Sequence, residues 1–120
     1  MKKQSLGMLG EKLACSYLKK KNYRIIEKNY RCSCGEIDII ALKNNALRFI
    51  EVRAKSSDTY GSPEESITCA KQERLVASAL HYVSNHEKLP ENWHIDFVAV
   101  EIDPLKGKAK RIELIENVVD

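Results

Sequence analysis

Apolar and polar residues alternate along this chain with two different periods, and the switches between them outline the elements. Leu6, Leu9, Leu13, Tyr17 and Leu18 recur at helical spacing, which predicts an amphipathic helix over residues 5–21 ending in Lys19-Lys20-Lys21. Three lysines there suit the negative end of the helix dipole. Residues 23–30, with Ile25 and Ile26, read as a strand. Residues 36–42 and 46–53 are two β-rich runs separated by Lys43-Asn44-Asn45. Asparagine tolerates the left-handed backbone of a tight hairpin turn, so these runs are expected to pair antiparallel.

Residues 54–63 are polar and contain Gly61, so they predict a loop. Ser62-Pro63-Glu64-Glu65 combines an N-cap residue, a first-turn proline and a glutamate three residues on, the pattern of a capping box. A helix is expected from there to about residue 85, with room for an irregular first turn, and with Val76, Ala79, Leu80 and Val83 as its apolar stripe. Residues 95–102 predict another strand, and Asp103-Pro104-Leu105-Lys106-Gly107 turns into a last one around residues 112–115. The order α-β-β-β-α-β-β implies an α/β fold with a helix at each end of the first three strands.

Length agrees with one domain over residues 1–120, since no repeat, low-complexity tract or linker interrupts the pattern. The longest apolar runs, residues 39–42 and 97–100, are far shorter than the ~20 residues a membrane-spanning helix needs. The charged start MKKQSLGMLGEK has no apolar stretch of ~7–15 residues behind it, unlike a secretory signal. A cytoplasmic protein is therefore expected, with its four cysteines reduced. Cys32 and Cys34 form a C-x-C pair, but no second pair or histidine stands at zinc-ligand spacing, so free thiols are expected. No P-loop, G-x-G-x-x-G, H-E-x-x-H or G-x-S-x-G is present, which argues against several large enzyme classes.

Net charge is only +3, but it is unevenly spread. Residues 1–35 carry nine basic and two acidic side chains, whereas residues 36–120 carry eleven and fifteen. Were the partner a nucleic acid, the basic first segment would supply sequence-independent phosphate contacts.

The acids of the hairpin are the main chemical signal. Side chains alternate along a strand, so Glu36, Asp38 and Ile40 should face one way and Ile37 and Ile39 the other. On the next strand Leu47, Phe49, Glu51 and Arg53 should share a face. With Asn44-Asn45 as a two-residue turn, Asp38 falls opposite Glu51 and Glu36 opposite Arg53. Opposed side chains lie ~4.5–5.5 Å apart at Cβ, where like charges destabilise a sheet. Two readings follow. Either a divalent cation such as magnesium or manganese joins the two carboxylates, or both lie on a solvated face with Arg53 and Lys55 as partners. Glu11 flanks the apolar stripe of the first helix and can approach these acids if that helix packs on the sheet. Gly7 and Gly10 beside it each cost a helix ~1 kcal/mol relative to alanine, a cost that close packing would explain.

The succession of G-x-x-G-E at residues 7–11, G-E-I-D-I-I at 35–40, F-I-E-V-R at 49–53, Y-G-S-P at 60–63 and K-Q at 71–72 resembles two related groups. The nearer is the YraN-like family of small bacterial proteins, over nearly the whole chain. The wider is the restriction-endonuclease-like, or PD-(D/E)xK, nuclease superfamily, which includes archaeal Holliday-junction resolvases. The resemblance implies a mixed central sheet flanked by helices. It also implies a site in which a helix glutamate, an aspartate and an E-x-K strand hold Mg2+ (or Mn2+) against a phosphodiester. On this chain Glu11, Asp38 and Glu51 match the three acids. Arg53 stands where the lysine is expected, and an arginine cannot give up its proton to act as a base. Lys55 or Lys71 would then stand in for the lysine.

Lys71 and Gln72 match the helix K-Q, and Tyr60 lies in a loop where an aromatic can stack on an unpaired base. Each has a plainer alternative as helix surface or loop packing. Trp93 and Phe97 read as packing residues, and His81, His86 and His94 receive no role. The expected function is magnesium-dependent cleavage of structured or branched DNA, with a homodimer by analogy. The rivals are a catalytically weakened nucleic-acid-binding or recruitment module with the same fold, and a protein-interaction domain whose acidic residues 36–120 bind another protein.

Overall fold

A computed structural model of the chain describes residues 5–118. Ser5 caps the first helix, α1 (Leu6–Lys20), its hydroxyl accepting the Met8 N–H at 3.1 Å. Three antiparallel strands follow, β1 (Arg24–Cys32), β2 (Gly35–Lys43) and β3 (Ala46–Ser56). The second helix, α2 (Cys69–Ser84), crosses back so that β4 (Trp93–Asp103) lies parallel to β3, and β5 (Lys108–Ile115) closes the sheet antiparallel. The five-stranded mixed sheet runs in chain order from β1 to β5, and the element order is the one the sequence predicts.

The two-asparagine turn sets the register. Asn44 and Asn45 adopt φ of 51° and 59°, the left-handed pair that matches strand twist in a two-residue hairpin. Leu42 then pairs with Leu47 and Ile39 with Ile50. Past that point the ladder stops. Asn29 on β1 takes φ 55° between the pairs Lys28/Ile39 and Tyr30/Ile37, which sets it opposite Asp38. The expected alternation breaks there: Ile37 packs with Ile40 on the α2 side, while Ile39 faces α1.

Helix α1 covers one face of the sheet through Ala14, Cys15 and Leu18, which join Ile39, Ala41, Ile50, Val98, Val100 and Ile102. Gly10 explains how closely it approaches, because a methyl at that position would collide with Cβ of Ala54. Gly7 has no such neighbour, and Leu6 at the head of the predicted stripe stays exposed.

Helix α2 covers the other face, but its phase and start differ from the sequence reading. Ser62 makes no side-chain cap, and Pro63–Ser66 forms only a short 3₁₀ turn. The helix proper begins after Thr68, whose hydroxyl accepts the Lys71 N–H at 3.2 Å. Its buried residues are Leu75, Ser78, Ala79 and Tyr82; of the predicted stripe Ala79 is buried and Val76 and Val83 pack at the edge of the core, but Leu80 is 50% exposed. Arg111 on β5 grips Glu64 with both terminal nitrogens, at 3.0 and 2.8 Å, which ties the 3₁₀ turn to the far edge of the sheet. Strand β3 runs three residues into the predicted loop because β4 pairs with it as far as Ser56. Phe97 is buried in the sheet, and Trp93 packs edge-on against Phe49. Among the described residues no helix is long and apolar enough to cross a membrane.

Candidate functional site

Where β2 leaves β3, a cleft of about 530 Å³ opens between the N-terminal turns of the two helices. Glu11, Asp38, Glu51, Arg53 and Lys71, all singled out in the sequence, line it together. Ser5, Asn29, Arg31 and Arg74 line it as well.

The acids are held by backbone as much as by each other. The Asp38 carboxylate accepts the Val52 N–H at 2.8 Å, so it occupies the gap left by the ended ladder. Its side chain meets that of Glu51, which stands on β3 with only 16% of its side chain exposed. Burial first, and then the hydrogen bond and negative charge of Asp38, push the Glu51 carboxyl up from 4.5 to about 8. Glu11 is raised too, by burial and then by the charge of Asp38, although a hydrogen bond from Asn29 opposes the shift. With Glu36, four acids therefore line one cleft, and two of them, Glu51 and Glu11, hold protons more tightly than a free carboxyl does.

Cations are near but do not neutralise the pair. Arg53 Nε lies 3.9 Å from Glu51 Oε1, too far for a hydrogen bond, and this buried atom has no other partner. Lys71 contributes a weaker favourable field at Glu51. Lys55 turns away, donating to the Tyr60 carbonyl at 3.3 Å, and so is not among the cleft residues. Glu36 does not face Arg53 as predicted. The β2–β3 ladder ends at the pair Ile39/Ile50, and Glu36 stands opposite Arg31 on β1, pairing with it at 3.4 Å at the edge of the cleft.

Two further candidates lie apart. Gln72 faces a separate shallow depression with Cys69, Glu73 and Val76, about 100° round α2 from Lys71. Tyr60 is fully exposed on the loop after β3. The sequence reading missed Asn29, Arg31 and Arg74. Arg74 was legible in principle, one turn after Lys71 on the same helix, whereas nothing local marks Asn29.

Hard oxygen donors in a pair that lacks a neutralising cation suit magnesium or manganese better than a softer metal. The fit is incomplete at the third ligand. Among the described residues no three acid, histidine or cysteine side chains stand close enough together to enclose one ion. Asp38 and Glu51 form the contact pair, and Glu11 faces them across the cleft.

Fold and cleft together define a small α/β protein with an acid pair set among arginines and a lysine. The family model described as "Uncharacterised protein family UPF0102" matches residues 10–102, a span from α1 through β4 that contains all of Glu11, Asp38, Glu51 and Arg53. Similar relatives share its length. A UPF0102 protein of Clostridium perfringens is 47% identical over 83% of this chain and 80% of its own. One from Alkaliphilus metalliredigens is 43% identical over 95% and 96%, and one from Thermodesulfovibrio yellowstonii is 43% identical over 98% and 97%. The chain belongs to the UPF0102 family, the YraN-like group its motifs resemble.

Proposed function

We propose that the protein is a metal-dependent endonuclease that hydrolyses phosphodiester bonds in structured or branched DNA. The observation that carries this reading is the contact between Asp38 and Glu51, two acids kept together inside a cleft that Arg31, Arg53, Lys71 and Arg74 also line. Burying such a pair is unfavourable unless a proton or a cation neutralises it. Asp38 and Glu51, with Glu11 facing them, would hold magnesium or manganese, which supplies Lewis-acid polarisation of a phosphoryl oxygen and an acidified water.

The protein's own groups divide the remaining work. Arg53 presents an unpartnered Nε beside the acids, a donor ready for a phosphate oxygen and for the charge that builds on it. Lys71 and Arg74, in the first turns of α2, offer charge for the flanking phosphates. Lys71 rather than Lys55 stands for the missing lysine, since Lys71 is the amine that faces Glu51. Tyr60 lies within the loop that follows the site strand, exposed for stacking on an unpaired base. A 120-residue domain covers few base pairs, and a second copy would extend the grip on a branch.

Calorimetric titration with magnesium or manganese tests the reading directly. Wild-type protein should bind one ion, and Asp38→Asn or Glu51→Gln should weaken it about tenfold or more. Unchanged affinity in both variants sinks the proposal. A second reading, a nucleic-acid-binding module that no longer cuts, is favoured specifically by arginine at position 53. Cleavage of junction, flap and linear DNA separates the two. An inert parent revived by Arg53→Lys supports the module, and an active parent supports the enzyme.

A further inference from the structure

A second reactive cluster lies on the β1–β2 turn, and it is independent of the acid pair. Cys32 closes the turn opposite Gly35, with only Ser33 and Cys34 between them. Both cysteines are half-buried free thiols. The Cys34 side chain and the backbone of Cys34 and Gly35 are close enough to favour a thiolate at Cys32, against the opposing effect of burial. Beneath the turn is Ser78 of α2, fully buried, with a hydroxyl that has no hydrogen-bond partner. That hydroxyl lies beside Cys32, and a methyl at Gly35 would come within 3.3 Å of it. The polar groups converge on one sulfur atom.

We infer that Cys32 and Cys34 form a redox-active dithiol at the rim of the cleft, with Cys32 the thiol that reacts with hydroperoxides and Cys34 the thiol that resolves the product. Chain geometry permits the bond. Two trans peptides keep the Cα atoms of residues i and i+2 within about 7.6 Å, and a turn draws them closer. Disulfides need roughly 4.4–6.8 Å. Selectivity follows from the polar setting: burial disfavours the Cys32 thiolate, but the Ser78 hydroxyl and the polar groups of Cys34 and Gly35 outweigh it and lower the thiol below its ordinary range, toward the nucleophilic form. Cys69 is exposed and lacks such a setting, and Cys15 is buried in the core, where desolvation disfavours the thiolate.

The electron count closes in two steps. The Cys32 thiolate attacks one peroxide oxygen, the O–O bond breaks, and hydroxide or alkoxide leaves and takes up a proton, so that sulfur is oxidised to sulfenic acid. The Cys34 thiolate then attacks the Cys32 sulfur, the S–O bond breaks, and the hydroxyl departs as water, leaving a disulfide. A cellular thiol or dithiol returns the pair to the reduced form by exchange.

The test uses the full chain, reduced and then exposed to equimolar hydrogen peroxide, with tryptic mass mapping. The peptide spanning residues 32–43 contains only these two cysteines, and it should lose two hydrogens while Cys15 and Cys69 remain thiols. Cys34→Ser should stop the reaction at sulfenic acid, trapped on Cys32 by dimedone. Cys32→Ser should slow oxidation of Cys34 by about tenfold or more. Oxidation of Cys69 ahead of the turn peptide overturns the proposal. So does equal reactivity of residues 32 and 34 in the two single variants.

Discussion

The protein keeps acids away from water in two places, and it treats them differently. Asp96, on β4, is 0% exposed yet fully served: it accepts from Tyr23 Oη and Arg48 Nη1, each at 3.4 Å, and from the Asn117 N–H at 3.1 Å. Asp38 and Glu51 have each other, one backbone N–H and an arginine nitrogen 3.9 Å away. The first cluster is closed and ties the start of β1 and the chain after β5 to the sheet. The second is left short of positive charge at the mouth of a cleft. Removing an acid should therefore harm stability at one place and binding at the other.

The largest effect expected is at the closed cluster. Asp96→Ala strands Arg48, whose side chain is 11% exposed and whose Nε already lacks a partner, and should cost about 3–5 kcal/mol in chemical denaturation. Metal affinity should be retained by whatever fraction stays folded; a parallel loss of both would erase the contrast.

Next comes the pH response of the open pair. Glu51 holds its proton more tightly in the folded state than unfolded, so folding takes up a proton between about 4.5 and 8. Stability should then fall as pH rises through that window and level off above it, by a few kcal/mol at most. Glu51→Gln should remove most of the slope in denaturation measured from pH 5 to 8.5, and saturating magnesium should flatten it by favouring the ionised pair. A slope that survives in Glu51→Gln would assign the response elsewhere.

Below that stands the loss of metal affinity in Asp38→Asn, about tenfold or 1.4 kcal/mol by calorimetry, with no loss of melting temperature because a repulsive contact is relieved. Thr68→Ala should cost about 1 kcal/mol through the α2 cap, whereas Ser62→Ala should cost much less, since Ser62 makes no side-chain cap. The smallest effect is at Tyr60, where alanine should leave stability within ~0.5 kcal/mol. Binding of single-stranded or flapped DNA should nonetheless fall severalfold, and an unchanged affinity would remove Tyr60 from the interface.

The strands were legible because Asn44-Asn45 fixes a register that side-chain alternation can then count from, and this placed Asp38 beside Glu51. The same counting failed one and two residues before Asp38, at Ile37 and Glu36, where the ladder to β3 has ended and Asn29 in the next strand takes a left-handed backbone. The α2 stripe was read only in part: Val76, Ala79 and Val83 meet the core, but Leu80 does not. The helix's buried face includes Ser78 and Tyr82, whose polar atoms a hydropathy pattern discounts, and its true start lies beyond the proline that seemed to announce it. Asp96 did leave a trace, as a lone acid beside an apolar run, but its partners Tyr23, Arg48 and Asn117 come from distant parts of the chain. Lys71 emerged as a cleft residue and Gln72 did not, although they are adjacent, because one step along a helix turns a side chain by about 100°.

The contact between Gly10 and Ala54 works as a gauge block. It sets the separation of α1 from β3 to within the thickness of one methyl group, and the next residue in the helix is Glu11. Any enlargement at position 10 or 54 would lift the third acid away from the other two without touching any of them. The spacing of the cleft is thus written partly in residues that have no chemistry of their own.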